Sequence, residues 1–159
     1  MTFAELVPRL GLLTATFVYC IASGLIPIVN AEVFLVAVAV TAPSSSAAGL
    51  VVMATLGQMV AKVILYLAGR GVLRLPLGRR RAALEAVRER FERWRSRDLL
   101  VAVSATTGFP PFYAATLVAG ALRYSLPRFV VIGSLGRLVR FSLVVAVPQV
   151  GRWLAGGAP

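Results

Sequence analysis

The chain has 159 residues, 58% of them hydrophobic and 14% charged, about half the charged share of an ordinary soluble domain. Of its 23 charged side chains, 14 fall between Arg70 and Asp98, which leaves nine for the other 130 residues, too few to wet a globular surface. The absence of His and a single Cys20 exclude histidine relays, thiolate clusters and most transition-metal centres, so neither metal nor cofactor is expected.

At the N-terminus Glu5 and Arg9 give no basic n-region, and the apolar stretch runs past any h-region, which argues against a cleavable signal peptide. Leu10 to Pro43 is too long for one crossing of a hydrocarbon core about 30 Å thick and too short for two. A turn is therefore expected at Ile26-Pro27-Ile28-Val29-Asn30, where Pro27 removes a backbone donor and Asn30 caps a helix beginning at Ala31. Ala31 to Thr41 is a half-span, about 16 Å at 1.5 Å per residue. Pro43-Ser44-Ser45-Ser46 reads as a surface loop, and Ala47 to Gly69 as a crossing helix that Gly69-Arg70-Gly71 ends.

Between Arg70 and Asp98 stand ten Arg against four acids, which places this linker in the cytoplasm by the positive-inside rule. Within it Leu84, Val87, Phe91 and Trp94 recur at helical spacing, and Glu85–Arg88, Glu89–Arg93 and Glu92–Arg95 pair opposite charges one turn apart. This is an amphipathic helix lying on anionic headgroups, and nucleic acid is not the expected partner despite a net charge of +11.

The pattern then repeats. Leu99 to Gly108 is apolar but short, Phe109-Pro110-Pro111-Phe112 interrupts any helix, Tyr113 to Leu122 is a half-span, and Pro127 to Val150 is a second crossing closed by Pro148 and Arg152. Leu35-Val36-Ala37 recurs as Leu117-Val118-Ala119, and Leu56-Gly57-x-x-Val60 as Leu135-Gly136-x-x-Val139. The expected fold is thus an all-α polytopic integral membrane protein forming one membrane domain over residues 1–159. Repeat 1 covers about 10–69, the linker 70–98 and repeat 2 about 99–152, each repeat a proline-broken re-entrant hairpin plus a transmembrane helix. With the linker cytoplasmic, the two long helices run in opposite directions and the repeats are inverted, an architecture typical of transporters.

Four charges sit inside these apolar stretches. Arg137 and Arg140 share one face and lie roughly 15 Å from either end of their helix, beyond comfortable snorkelling. Two central Arg cost about 5 to 7 kcal/mol on insertion, close to what the surrounding Leu, Ile, Phe and Val return. They either line a wet groove or form a structural ion pair. Glu32, the sole carboxylate of the apolar portion, is the natural partner for Arg137 or Arg140 and the one candidate proton carrier or gate. Lys62 either snorkels or lines the groove, and Arg123, Arg128 and Arg152 read as interface anchors. Glu32 offsets one of the three positives Lys62, Arg137 and Arg140, so an anionic ligand would balance the remainder, and Arg forks suit phosphate oxygens. Pro27, Asn30, Pro110, Pro111 and Tyr113 are the expected hairpin tips.

Gly24-Leu25-Ile26-Pro27 leading to Ala31-Glu32-Val33, Ala54-Thr55-Leu56-Gly57 with Gly69-Arg70, Leu117-Val118-Ala119-Gly120-Ala121-Leu122-Arg123, and Leu135-Gly136-Arg137-Leu138-Val139-Arg140 together resemble the DedA or VTT-domain (SNARE-associated Golgi protein) membrane family, in its short YqaA-like branch. The match spans about residues 15 to 148. The resemblance implies two facing re-entrant hairpins and lipid translocation in the bacterial inner membrane. Bacterial relatives are implicated in returning undecaprenyl phosphate and in proton-dependent envelope physiology, and eukaryotic ones are phospholipid scramblases. Glu32 falls where the family has an acidic residue after its first proline loop. The second loop departs, carrying Thr106, Thr107, Phe109, Phe112 and Tyr113 where many members have an acid or arginines.

The reading is a flippase or scramblase for an anionic, phosphate-bearing lipid such as undecaprenyl phosphate or a phospholipid. Arg137, Arg140 and Lys62 contact phosphate, Glu32 gates or carries a proton, and membrane lipids are the partners. The alternative is a non-transporting scaffold acting through the basic linker. An enzyme is disfavoured, since no nucleophile and base pair is recognisable. A homodimer through Gly57 or Gly133 stays open.

Overall fold

The computed structural model describes residues 3–26, 28–72 and 97–154, with side chains from Leu10 onward except those of residues 152 and 153. Pro27, the amphipathic linker face with its Glu–Arg pairs, and the Arg152 side chain lie outside the described residues. Among those described, the chain is all-helical, with six α-helices and a 3-10 turn and no strand: α1 (Phe3–Leu25), α2 (Ala31–Thr41), the turn Ser44–Ser46, α3 (Ala47–Val72), α4 (Arg97–Thr107), α5 (Phe112–Ala121) and α6 (Leu126–Leu154). Two stretches, Ser44–Gly71 and Leu126–Gly151, are long and apolar enough to cross a membrane. They are the two crossings expected from the sequence.

α1 is one uninterrupted helix of 23 residues that ends before the expected turn. Two boundaries differ from expectation. α3 continues through Gly69-Arg70-Gly71 to Val72. α6 passes through Pro148 to Leu154 rather than closing there. A proline so near a helix end withholds one N–H, from the Val144 carbonyl, and the turns beyond it still make their own bonds.

The molecule divides into two compact units, Met1–Val60 with Leu138–Pro159, and Ala61–Arg137. In the first unit α1 and α2 pack together, with the Tyr19 and Phe34 rings stacked at 4.0 Å between centroids. Its core joins Cys20 of α1, Leu35 and Ala39 of α2, Val51 and Ala54 of α3, and Phe141 and Val145 of α6. The start of α3 thus lies beside the far half of α6 in this unit. Hydrocarbon gives no hydrophobic drive between helices, so close contact has to supply the adhesion. Gly57 provides it: a Cβ there would collide with the Phe17 carbonyl oxygen of α1 and lie 3.0 Å from the Cys20 Cβ. Beside it the Gln58 amide donates to Ser23 Oγ at 2.7 Å, a buried interhelical hydrogen bond.

In the second unit other residues make the contacts. α4 packs on α5, and the end of α3 lies by the start of α6, with Tyr66 stacked on Phe129 at 5.3 Å. Gly69 meets the Leu117 carbonyl and Gly120 meets the Tyr66 carbonyl, so α3 and α5 approach backbone to backbone. The Tyr66 hydroxyl donates to the Tyr124 carbonyl, and the Tyr124 hydroxyl donates to Asp98, tying α3, the α5–α6 turn and the start of α4 together.

Candidate functional site

In the first unit the site is built from the loop before α2. Asn30 leaves the helix in extended conformation, and its Oδ1 accepts from the backbone N–H of Glu32 at 2.8 Å and of Val33 at 3.3 Å. This cap satisfies two orphan donors and sets Glu32 in the first turn, where the helix dipole favours a carboxylate. Arg140 of α6 reaches the same oxygen, Oε1, with two nitrogens, Nε at 2.6 Å and Nη2 at 2.5 Å. The side chains of Arg140 and Glu32 retain 21% and 35% exposure, so the pair is partly wet. Of the two arginines considered as partners, Arg140 is the one Glu32 holds.

A cleft of about 310 Å³ in the same unit is lined by Ala47, Ala48, Val51, Val52, Ser142, Val145, Ala146 and Gln149. Its walls are mostly apolar, and the ion pair is not among them.

In the second unit the charges meet rings. Lys62 is 4% and Arg137 9% exposed, and Phe112 between them only 3%. The Lys62 ammonium lies 5.9 Å from the Phe112 ring centroid and 5.5 Å from that of Tyr113, while the Arg137 guanidinium carbon lies 4.9 Å from the Phe112 centroid. One ring therefore serves two cations. A ring quadrupole attracts a cation without cancelling its charge. Lys62, for which snorkelling and groove lining were both open, is buried against aromatics and does not run its stem to an interface.

The rings are held by the second proline loop. Pro111 caps α5 without a side-chain hydrogen bond, the Phe109–Pro110 peptide is cis, and Ser104 Oγ donates to the Pro110 carbonyl at 2.5 Å. Pro110 and Pro111 thus lead directly into Phe112 and Tyr113. Phe112 also stacks on Phe129 at 5.9 Å. Its role as a shared ring was not legible: the sequence presents it as one more aromatic beside prolines. The Tyr66–Tyr124–Asp98 chain was missed as well, for want of any spacing signal across 58 and 26 positions.

Neither the comparison with curated proteins nor that with solved structures gives a match. The family model for the VTT domain matches residues 26–149, more than three quarters of the chain, with Glu32, Lys62, Pro110, Pro111, Arg137 and Arg140 inside the match. The chain therefore belongs to the VTT-domain family, the DedA and SNARE-associated group of membrane proteins.

Proposed function

We propose that the protein moves a phosphate-bearing anionic lipid across the bacterial inner membrane, with the headgroup phosphate taken by Lys62 and Arg137. The observation that carries this reading is the burial of both cations against the single Phe112 ring. Two like charges held near each other at low dielectric repel, and a bridging anion relieves that repulsion. Arg137 offers a planar fork and Lys62 a point charge, a combination suited to tetrahedral oxygens. The N-terminus of α5 adds donors of the same polarity.

In the first unit Glu32 has the gating role. Its proton would release Arg140, exchanging an ion pair for a cation that an anion can engage. The loops around Pro27 and around Pro110 and Pro111 are the two hairpin tips of inverted repeats, with residues 70–98 cytoplasmic. Support for the inversion comes from the recurring order of two shorter helices followed by a long one.

The test is headgroup translocation in liposomes, with a labelled lipid carrying a terminal phosphate. Lys62→Gln and Arg137→Gln should each slow it about tenfold or more, the effect of one lost charge-assisted contact, with correct insertion checked by protease protection. Undiminished movement by the inserted double variant rejects the reading. Loss of cellular function on deleting residues 80–95, with lipid movement intact, would favour the scaffold alternative.

A further inference from the structure

Arg123 is the one non-glycine residue with positive φ among those described, at 52°. It ends α5 in a Schellman motif: its N–H donates to the Gly120 carbonyl at 3.0 Å, and the Tyr124 N–H donates to the Ala119 carbonyl at 2.9 Å. Glycine takes this left-handed position at no steric cost. An arginine held there accepts backbone strain and keeps its side chain exposed, and strain of this kind is retained where the side chain is used.

Three further exposed arginines belong to the same end of the second unit. Arg70 stands in the last turn of α3, whose Tyr66 hydroxyl donates to the Tyr124 carbonyl. Arg97 precedes Asp98, whose carboxylate accepts from the Tyr124 hydroxyl. Arg128 in the first turn of α6 acts electrostatically on the Tyr124 phenol. Tyr124, itself buried, therefore gathers three chain segments, and these segments carry four exposed arginines against one aspartate. Gly71 ends one candidate membrane span and Leu126 begins the other.

We infer that Arg70, Arg97, Arg123 and Arg128 form a docking surface for the anionic phosphate headgroups of the adjoining leaflet, with Tyr124 as the positioning residue. The charge is complementary, and the surface lies at the ends of both long apolar helices, where lipid phosphates stand. This surface is separate from the Lys62 and Arg137 cluster and stands whether or not that cluster carries lipid across.

The experiment uses the full chain in nanodiscs of phosphatidylcholine and phosphatidylglycerol, followed by mass spectrometry of the lipid retained after detergent extraction. Wild type retains phosphatidylglycerol preferentially, and raising the salt weakens the preference. Arg123→Gly relieves the strained turn, so it keeps helix content and melting temperature while the preference falls about fivefold, the effect of one surface arginine. Replacing all four by Gln abolishes it, and replacing Arg70, Arg97 and Arg128 by Lys preserves it. Arg123→Gly with undiminished preference overturns the inference. So does wild type showing no lipid preference, or retaining an RNA oligonucleotide in its place.

Discussion

Arg140 and Glu32 meet across 108 positions of sequence, two guanidinium nitrogens on one carboxylate oxygen at 2.6 and 2.5 Å. The pair fixes α6 to the capped start of α2, and its partial exposure puts it between a surface pair and a sealed one. Glu32→Gln should therefore destabilise the protein by about 2 kcal/mol, more than an exposed pair is worth and less than a fully buried one. Adding Arg140→Gln should return most of that loss, because no unmatched charge remains. A double-mutant cycle of thermal melts in nanodiscs reads the coupling, and a value near zero would show that the contact contributes nothing.

The Phe112 ring is shared by Lys62 and Arg137 and is itself almost fully buried. Phe112→Leu keeps an apolar side chain but removes the ring face, and should cost about 2 kcal/mol in stability. Lipid movement should fall with it, although no charge has changed. Phe112→Tyr, which restores the face, should recover movement. Movement unaffected by the loss of the ring would separate the cation cluster from transport.

Close backbone approach makes a graded prediction for glycines. Gly120 faces the Tyr66 carbonyl across the α3–α5 contact, whereas Gly11 in α1 has nothing within 4 Å of a Cβ position. Gly120→Ala must push two backbones apart and should destabilise by about 2 kcal/mol. Gly11→Ala should stabilise by roughly 0.5 to 1 kcal/mol, since it only removes freedom from an exposed helical position. Melting curves that move the same way for both variants would contradict the packing described.

These contacts also show where the sequence stops being informative. α2 was legible to the residue, because Asn30 and Pro43 bracket it with local chemistry that needs no partner. The partner of Glu32 narrowed to two arginines, since residues three apart on a helix share a face. Choosing Arg140 required the packing of α6 on α2, which no local pattern encodes. Lys62 was undecided for the same reason: its stem is long enough for either fate, and the rings that hold it come from a segment fifty positions away. Pro148 misled because a proline near a helix end can be absorbed at the loss of one backbone bond.

Tyr124 supplies a pH prediction outside the membrane spans. Burial raises its phenol well above the ordinary tyrosine range, the hydrogen bond to Asp98 and that carboxylate's charge raise it further, and Arg128 opposes them. A proton held more tightly in the folded state contributes stability that is fully present below the unfolded value of about 10 and is lost as pH rises through the folded value. The link from α4 to the α5–α6 turn should therefore persist through neutral and mildly alkaline pH, and fail only beyond the range where free tyrosine ionises. Tyr124→Phe removes the donor and should lower stability by about 2 kcal/mol at neutral pH. It should also delete the latest phase of tyrosinate absorbance in an alkaline titration. If the phase deleted instead lies near pH 10, the phenol is not held by Asp98, and Tyr66 joins only α3 to the α5–α6 turn.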